Sequence, residues 1–323
     1  MKRATNGPVW NEYAAYFTNY TVLNYAHIRA TTDNEYVKKK AGKTVDAMDF
    51  KTQVGLFIDH FGGKLEKKDI KDDVIGIGIG PNDLYFLSDY IGSNPKKFIS
   101  EQERIIRCII NAIERLRRIG YRKFLVIGFP YIKTIPILSS KNAFKLEAMD
   151  VLVKMYNANL ASQLEIYRMI FWDSHNSENK LYLRLIKIYE VQEMLMNEGR
   201  DILKSLGIES MDSACYFNGK IAKSTFYCRK YSKFFYYDDV HPTTPVHALF
   251  GALAAESITN SRFDYDRSFV KNAIKKYNLE NTDIHSGKVH NRTHSLYFGP
   301  LSTSNGIYYI ENRINKIIEQ KKA

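Results

Sequence analysis

The strongest constraint on what this chain can fold into is an alternation of pattern. Short apolar runs closed by turn residues take turns with longer stretches of helical spacing. KDDVIGIGIGP (71–81) reads as a buried strand ended by Gly80-Pro81. EQERIIRCIINAIERLRRIG (101–120) places its apolar residues at helical intervals and ends in glycine. YRKFLVIGFP (121–130) is a second buried strand, and KNAFKLEAMDVLVKMYNANLASQLEIY (141–167) a long helix. YRMIFWD (167–173) is expected as the strand after it, with a further helix around 187–206. Strands separated by helices build a mostly parallel sheet, because a parallel crossover needs a connection of helix length. Sites in such sheets lie at the carboxyl ends of the strands. With 323 residues, 45% of them hydrophobic, the chain is long enough to bury a large core as one large domain or two smaller ones.

Lys and Arg total 47 against 35 acidic residues, a net charge of +12. That excess suits an anionic partner such as a membrane surface, or merely a basic soluble surface. No long Lys/Arg block and no aromatic RNA-binding signature accompany it, so nucleic acid is not expected as a partner. No apolar run approaches the roughly 18 residues of a membrane-spanning helix. The start, MKRATNGPVW, has Thr5, Asn6 and Gly7 where a secretory signal would be apolar. Cys215 and Cys228 flank a polar loop and could close a disulfide, which belongs to an oxidising compartment, whereas Cys108 falls at a core position of a helix. His27, His60, His175 and His247 lack metal-ligand spacing to Cys or acidic partners, so no metal is expected.

The chemistry concentrates in FFYYDDVHPTTPVHALFG (234–251), where a run of aromatics empties into Asp238, Asp239, His241 and Pro242 and resumes as an apolar helix. Asp and His three apart on one turn can act as the acid and base of a hydrolytic triad, the carboxylate holding Nδ1–H while Nε2 faces the substrate. The same Asp can equally cap the following helix. Residue types alone leave both readings open.

YYDDVHPTTPVHALFG resembles the last motif of the GDSL (SGNH) lipase and esterase family, especially its thermolabile-hemolysin and phospholipase-like branch. The preceding SACYFNG…FYCRKYSKFFYYDD, with its cysteine pair, resembles that branch too. GPNDLYFL (80–87) is similar to the family's Gly-x-Asn-Asp motif, which implies an oxyanion-donating role for Asn82 and a secondary one for Gly80. TNGPVWNEYAAYF (5–17) and NYAHIRATTDN (24–34) resemble stretches that in the family follow the nucleophile strand. The resemblance covers 5–258 and implies a three-layer α/β/α, flavodoxin-like SGNH fold with a mostly parallel central sheet. Ile28 and Arg29 stand where the family has a pair of glycines, one of which supplies an oxyanion-hole N–H. Arg29 can keep that N–H only in a permitted conformation, and a left-handed one costs about 1–2 kcal/mol. Its guanidinium could instead bind a phosphate or carboxylate.

Family members open with a strand ending in FGDSLSD, whose Ser is the nucleophile, and this chain begins after that point. Near the far end, THSLYFGPLSTSNGIYYIENR (293–313) resembles the missing block with about one residue lost. The resemblance therefore implies a circular permutation: 5–258 is the family-like region, 259–292 a connector with one short helix, and 293–323 the relocated nucleophile strand and helix. Ser302 is then the expected nucleophile and Ser304 the second candidate. The function implied is hydrolysis of a small-molecule or lipid acyl ester by Ser302, His241, Asp238 and Asn82, with no organic cofactor needed and with peripheral contact to an anionic membrane surface. The resemblance and the possible disulfide suggest secretion, against a start that does not read as a signal, so the compartment stays open. The alternative, from a different class, is a catalytically silent SGNH-fold binding protein, because the nucleophile and glycine motifs both depart from the pattern.

Overall fold

A computed structural model describes residues 3–92, 94–171, 180–218, 225–260, 264–281, 289, 293, 296–298 and 304–322. The strands, in chain order, are β1 (Leu23–Asn24), β2 (Val74–Ile77), β3 (Lys123–Ile127), β4 (Tyr182–Ile186), β5 (Ser210–Ala214), β6 (Tyr216–Asn218), β7 (Thr225–Tyr227), β8 (Phe234–Tyr236) and β9 (Leu296–Tyr297). Helices fill most of the intervals between them, so the expected α/β class is the one observed. The chain forms two compact units. One comprises Met1–Val22, Gly128–Asn157 and Ile186–Leu296, the other Leu23–Ile127, Ala158–Leu185 and Tyr297–Ala323.

In the first unit, β5 and β8 pair in parallel, and β6 and β7 form an antiparallel hairpin closed by a Cys215–Cys228 disulfide. Its centre is the helix Thr244–Thr259, buried along almost its whole length. A helix apolar all round belongs inside a core, and this one has no amphipathic stripe. It packs against the helix Trp10–Thr18 at Gly251, where a Cβ would fall 2.8 Å from the Trp10 carbonyl oxygen and 3.0 Å from the Ala14 nitrogen. Absence of a side chain lets the two helices meet at the backbone. After it comes the helix Arg267–Lys276, capped by Asp266, whose carboxylate accepts from the Phe269 N–H at 2.7 Å.

In the second unit, β3 lies between β2 and β4, and β2 runs parallel to β3 with Val74 opposite Lys123 and Ile77 opposite Val126. Phe124, Leu125 and Val126 are fully buried. The helix Pro95–Arg118 presents Ile105, Ile109, Ile113 and Leu116 to the core at helical spacing. It starts earlier than expected because Asn94 caps it, its side-chain oxygen accepting from Lys96 and Lys97, with Pro95 in the first turn. The helix Ser304–Lys322 buries Ile314 and Ile318, and its Lys321 Nζ reaches Asp73 at 2.5 Å.

The structure corrects three local expectations. Residues 167–170 are not a strand; they end the helix Ala143–Ile170, and the strand is β4 instead. The reason is periodicity: Leu160, Leu164 and Tyr167 continue one helical face, and the Tyr167 hydroxyl reaches Glu114. The stretch around 187–206 is two helices, Ile188–Asn197 and Arg200–Ser205, broken at Glu198-Gly199. Cys108 is half-buried rather than fully buried. Among the described residues no helix is long and apolar enough to cross a membrane.

Candidate active site

β8 ends in a closed turn. The Tyr237 N–H donates to the His241 carbonyl at 2.7 Å, and Tyr236 forms an antiparallel bridge with Pro242. The turn brings Asp238 and His241 together: Nδ1 of His241 lies 2.8 Å from Asp238 Oδ2 and 3.0 Å from Oδ1. Oδ1 also accepts the backbone N–H of His241 at 2.7 Å and of Val240 at 2.9 Å. One carboxylate thus folds the turn and orients the imidazole. It does not cap the following helix, which starts at Thr244 with Thr243 as its N-cap and no side-chain cap. Burial alone would lift the Asp238 carboxyl, but the hydrogen bonds from the His241 ring and the two N–H groups outweigh it and hold the group below its ordinary value. Nε2 of His241 has no hydrogen-bond partner among the described residues.

Residues outside the motif secure this turn. Thr5 Oγ1 donates to the Pro242 carbonyl at 2.8 Å, and Asn6 Oδ1 accepts from the Thr244 N–H at 3.1 Å. Thr244 Oγ1 donates to the Pro8 carbonyl at 3.0 Å, and the Tyr13 hydroxyl is 2.9 Å away from it. His247, one turn into the following helix, is pushed down to about 3 by burial and then by the neighbouring His241, so it stays neutral. Sequence reasoning missed Thr5 and Asn6, whose partners lie more than two hundred residues away.

In the second unit, Asn82 stands in the first turn after Gly80, which adopts a positive φ of 120°. Its Nδ2 donates to the Ala30 carbonyl at 3.0 Å, leaving the second amide hydrogen for another acceptor. Arg29, just before, has φ 69°, the left-handed conformation a glycine would take freely. Asp83, Thr32 and Arg104 then tie the two loops together. The buried Asp83 carboxylate accepts the Thr32 N–H at 2.9 Å, the Thr32 hydroxyl at 2.5 Å and Arg104 Nη2 at 2.7 Å. Arg104 also bonds Glu101 at 2.8 Å, and Glu101 accepts the Tyr36 hydroxyl at 2.6 Å. Removing one member of such a network leaves a buried charge unpaired and costs about 3–5 kcal/mol. Only Asp83 had a sequence signal, its place in the GPND stretch.

Ser302 lies outside the described residues. Ser304 is the first residue of the helix Ser304–Lys322, and its side chain is likewise outside them. His60 is held by the Tyr25 hydroxyl at 2.7 Å from Nδ1, and His175 lies outside the described residues. Among the described residues no group of three His, Cys, Asp or Glu side chains is placed to hold a metal ion.

A family profile for GDSL-like lipase/acylhydrolase matches residues 1–254. Two GDSL esterase/lipases of Arabidopsis thaliana are similar to the chain. The first is 23% identical over 226 residues, covering 65% of this chain and 60% of the relative. The second is 25% identical over 220 residues, covering 62% and 56%. The chain thus spans less than two thirds of the length of either curated relative. With an α/β fold that carries the Asp238–His241 turn and the Asn82 loop inside the matched region, this chain belongs to the GDSL-like lipase/acylhydrolase family.

Proposed function

We propose that the protein is a serine ester hydrolase. The observation that carries this reading is the Asp238–His241 pair, bonded at 2.8 Å through Nδ1 and with Nε2 free of any described partner. On this reading His241 Nε2 takes the proton of Ser302 as its Oγ attacks the ester carbonyl carbon. His241 then gives that proton to the departing alkoxide, leaving an acyl-enzyme. Water attacks the acyl carbon, again deprotonated by His241, and the carboxylate leaves with Ser302 restored. Asp238 orients the imidazole and stabilises its charged form. Asn82, through its second amide hydrogen, and the N–H groups of Arg29 and Ser302 hold the oxyanion. Gly80 shapes the turn before Asn82, and Ser304 is the second candidate nucleophile.

The permuted order belongs to the same proposal. Consecutive strands of an α/β sheet are usually neighbours, and in the family the nucleophile strand precedes the stretch holding β1. The Leu296 N–H donates to the Val22 carbonyl at 2.8 Å, and the Phe298 N–H to the Asn24 carbonyl at 2.8 Å, an equal step on both strands that runs them parallel. That pairing supports 296–298 as the displaced nucleophile strand. We read 1–323 as one functional domain, its substrate as an acyl ester of a small molecule or lipid, and the Cys215–Cys228 disulfide as suited to secretion. The net charge of +12 suits peripheral contact with an anionic membrane.

The test is labelling with a fluorophosphonate, which reacts only with an activated serine. The intact protein should label, and Ser302→Ala and His241→Ala should each abolish it. Labelling that survives Ser302→Ala but not Ser304→Ala would move the nucleophile two residues on. A folded wild-type protein that takes no label would sink the reading in favour of a silent binding fold.

A further inference from the structure

Among the described residues, three that are not glycine adopt positive φ: Asn19, Arg29 and Asn278. Asparagine tolerates the left-handed region through local hydrogen bonding, whereas an arginine there carries the full steric penalty. Strain of this kind persists where the surroundings over-determine it, and here they do: Asn82 grips the Ala30 carbonyl and Asp83 grips Thr32. What the strained position displays is an exposed guanidinium, 5.4 Å from the centre of the Phe86 ring. An aromatic face steadies a guanidinium while leaving its N–H edges free. No carboxylate pairs with Arg29 among the described residues. The residue next to Arg29 is an exposed apolar one, Ile28, at 48% exposure.

The geometry points to Arg29 as a specificity residue that binds a phosphate group carried by the ester substrate close to its scissile carbonyl. The inference rests on the hydrolase reading above, which puts the Arg29 N–H at the oxyanion and so brings its side chain within reach of substituents near the ester. A planar fork of N–H donors fits two phosphate oxygens at once, and the apolar flank favours a lipid phosphate over the free ion. Glycine at this position would remove the anion contact while still accepting the left-handed backbone. The substitution therefore separates binding of the ester from binding of the phosphate.

The test begins with His241→Ala protein, to prevent turnover. It is titrated calorimetrically with dihexanoyl phosphatidate below its micellar concentration, with dihexanoylglycerol, and with inorganic phosphate, each repeated after adding Arg29→Gly. Phosphatidate should bind about tenfold more tightly than the neutral diacylglycerol. Arg29→Gly should erase most of that preference, and Arg29→Lys should keep part of it. Equal binding of the two lipids, or a preference that Arg29→Gly leaves unchanged, would overturn the inference. Inorganic phosphate binding as tightly as phosphatidate would overturn the assignment of the anion to the substrate. Separately, thermal unfolding checks that Arg29→Gly is folded, and wild-type enzyme is assayed on p-nitrophenyl butyrate, where an absence of turnover rejects the hydrolase reading without touching the binding comparison.

Discussion

At the residue scale, the Asp238–His241 turn and the helix that follows it carry two histidines with opposite surroundings. His241 faces a carboxylate, while His247 has its Nδ1 shielded from solvent without a hydrogen-bond partner. Unfolded, His247 takes up a proton near its ordinary value of 6.5, and folded it resists protonation until about 3. Between those values the unfolded state binds more protons, so stability rises with pH and is lost on acidification, by up to about 1.4 kcal/mol per pH unit. Asp238, held below its ordinary 3.8, loses its contribution only at lower pH than that. Thermal unfolding followed from pH 7.5 to 4.5 should therefore show a falling Tm in the wild type and a flatter curve in His247→Gln. Parallel curves would remove His247 from the account. Asp238 and His241 were readable in advance because a three-residue spacing brings them together in any tight turn. Arg104 was not, because its partners Thr32 and Asp83 stand 72 and 21 residues away in sequence.

At the scale of elements, the closest helix pair depends on a single absent side chain. Gly251→Ala would press a methyl group onto the Trp10 carbonyl and the Tyr13 side chain, forcing apart the helices Trp10–Thr18 and Thr244–Thr259. Overpacking of this kind costs about 1–3 kcal/mol. Because the helix Thr244–Thr259 follows directly from the His241 turn, the variant should also lose ester turnover. Chemical denaturation read beside a p-nitrophenyl ester assay checks both, and an unchanged midpoint would show that the helices can separate freely. The buried helix was legible as one because its apolar run continues through every face. The strand expected from residue 167 arose from the same cue, an apolar run, but over 167–170 the longer periodicity of the helix Ala143–Ile170 prevailed.

For the whole molecule, the last thirty residues are the informative part, because they lie beyond the region matched by the family profile. They are not an appendage. Phe298, Ile314 and Ile318 are buried, and Lys321 pairs with Asp73 at 2.5 Å. Deleting 293–323 should lower Tm by many degrees and abolish fluorophosphonate labelling. A truncated chain as stable as the full one, and still labelled, would remove both the structural and the catalytic role assigned to this segment.

The alternation of apolar runs and amphipathic helices was enough to specify an α/β chain, and the DDVHP spacing enough to specify the acid–base turn, because both depend on short-range geometry. The sequence around Arg29 stated a departure from glycine but not its consequence. Whether an arginine there would bend the backbone into another path or accept the left-handed one depended on Asn82, Asp83, Thr32 and Arg104, drawn from separate segments. The anchoring of the His241 turn by Thr5 and Asn6 was equally out of reach, since contacts across most of the chain length leave no local pattern to read.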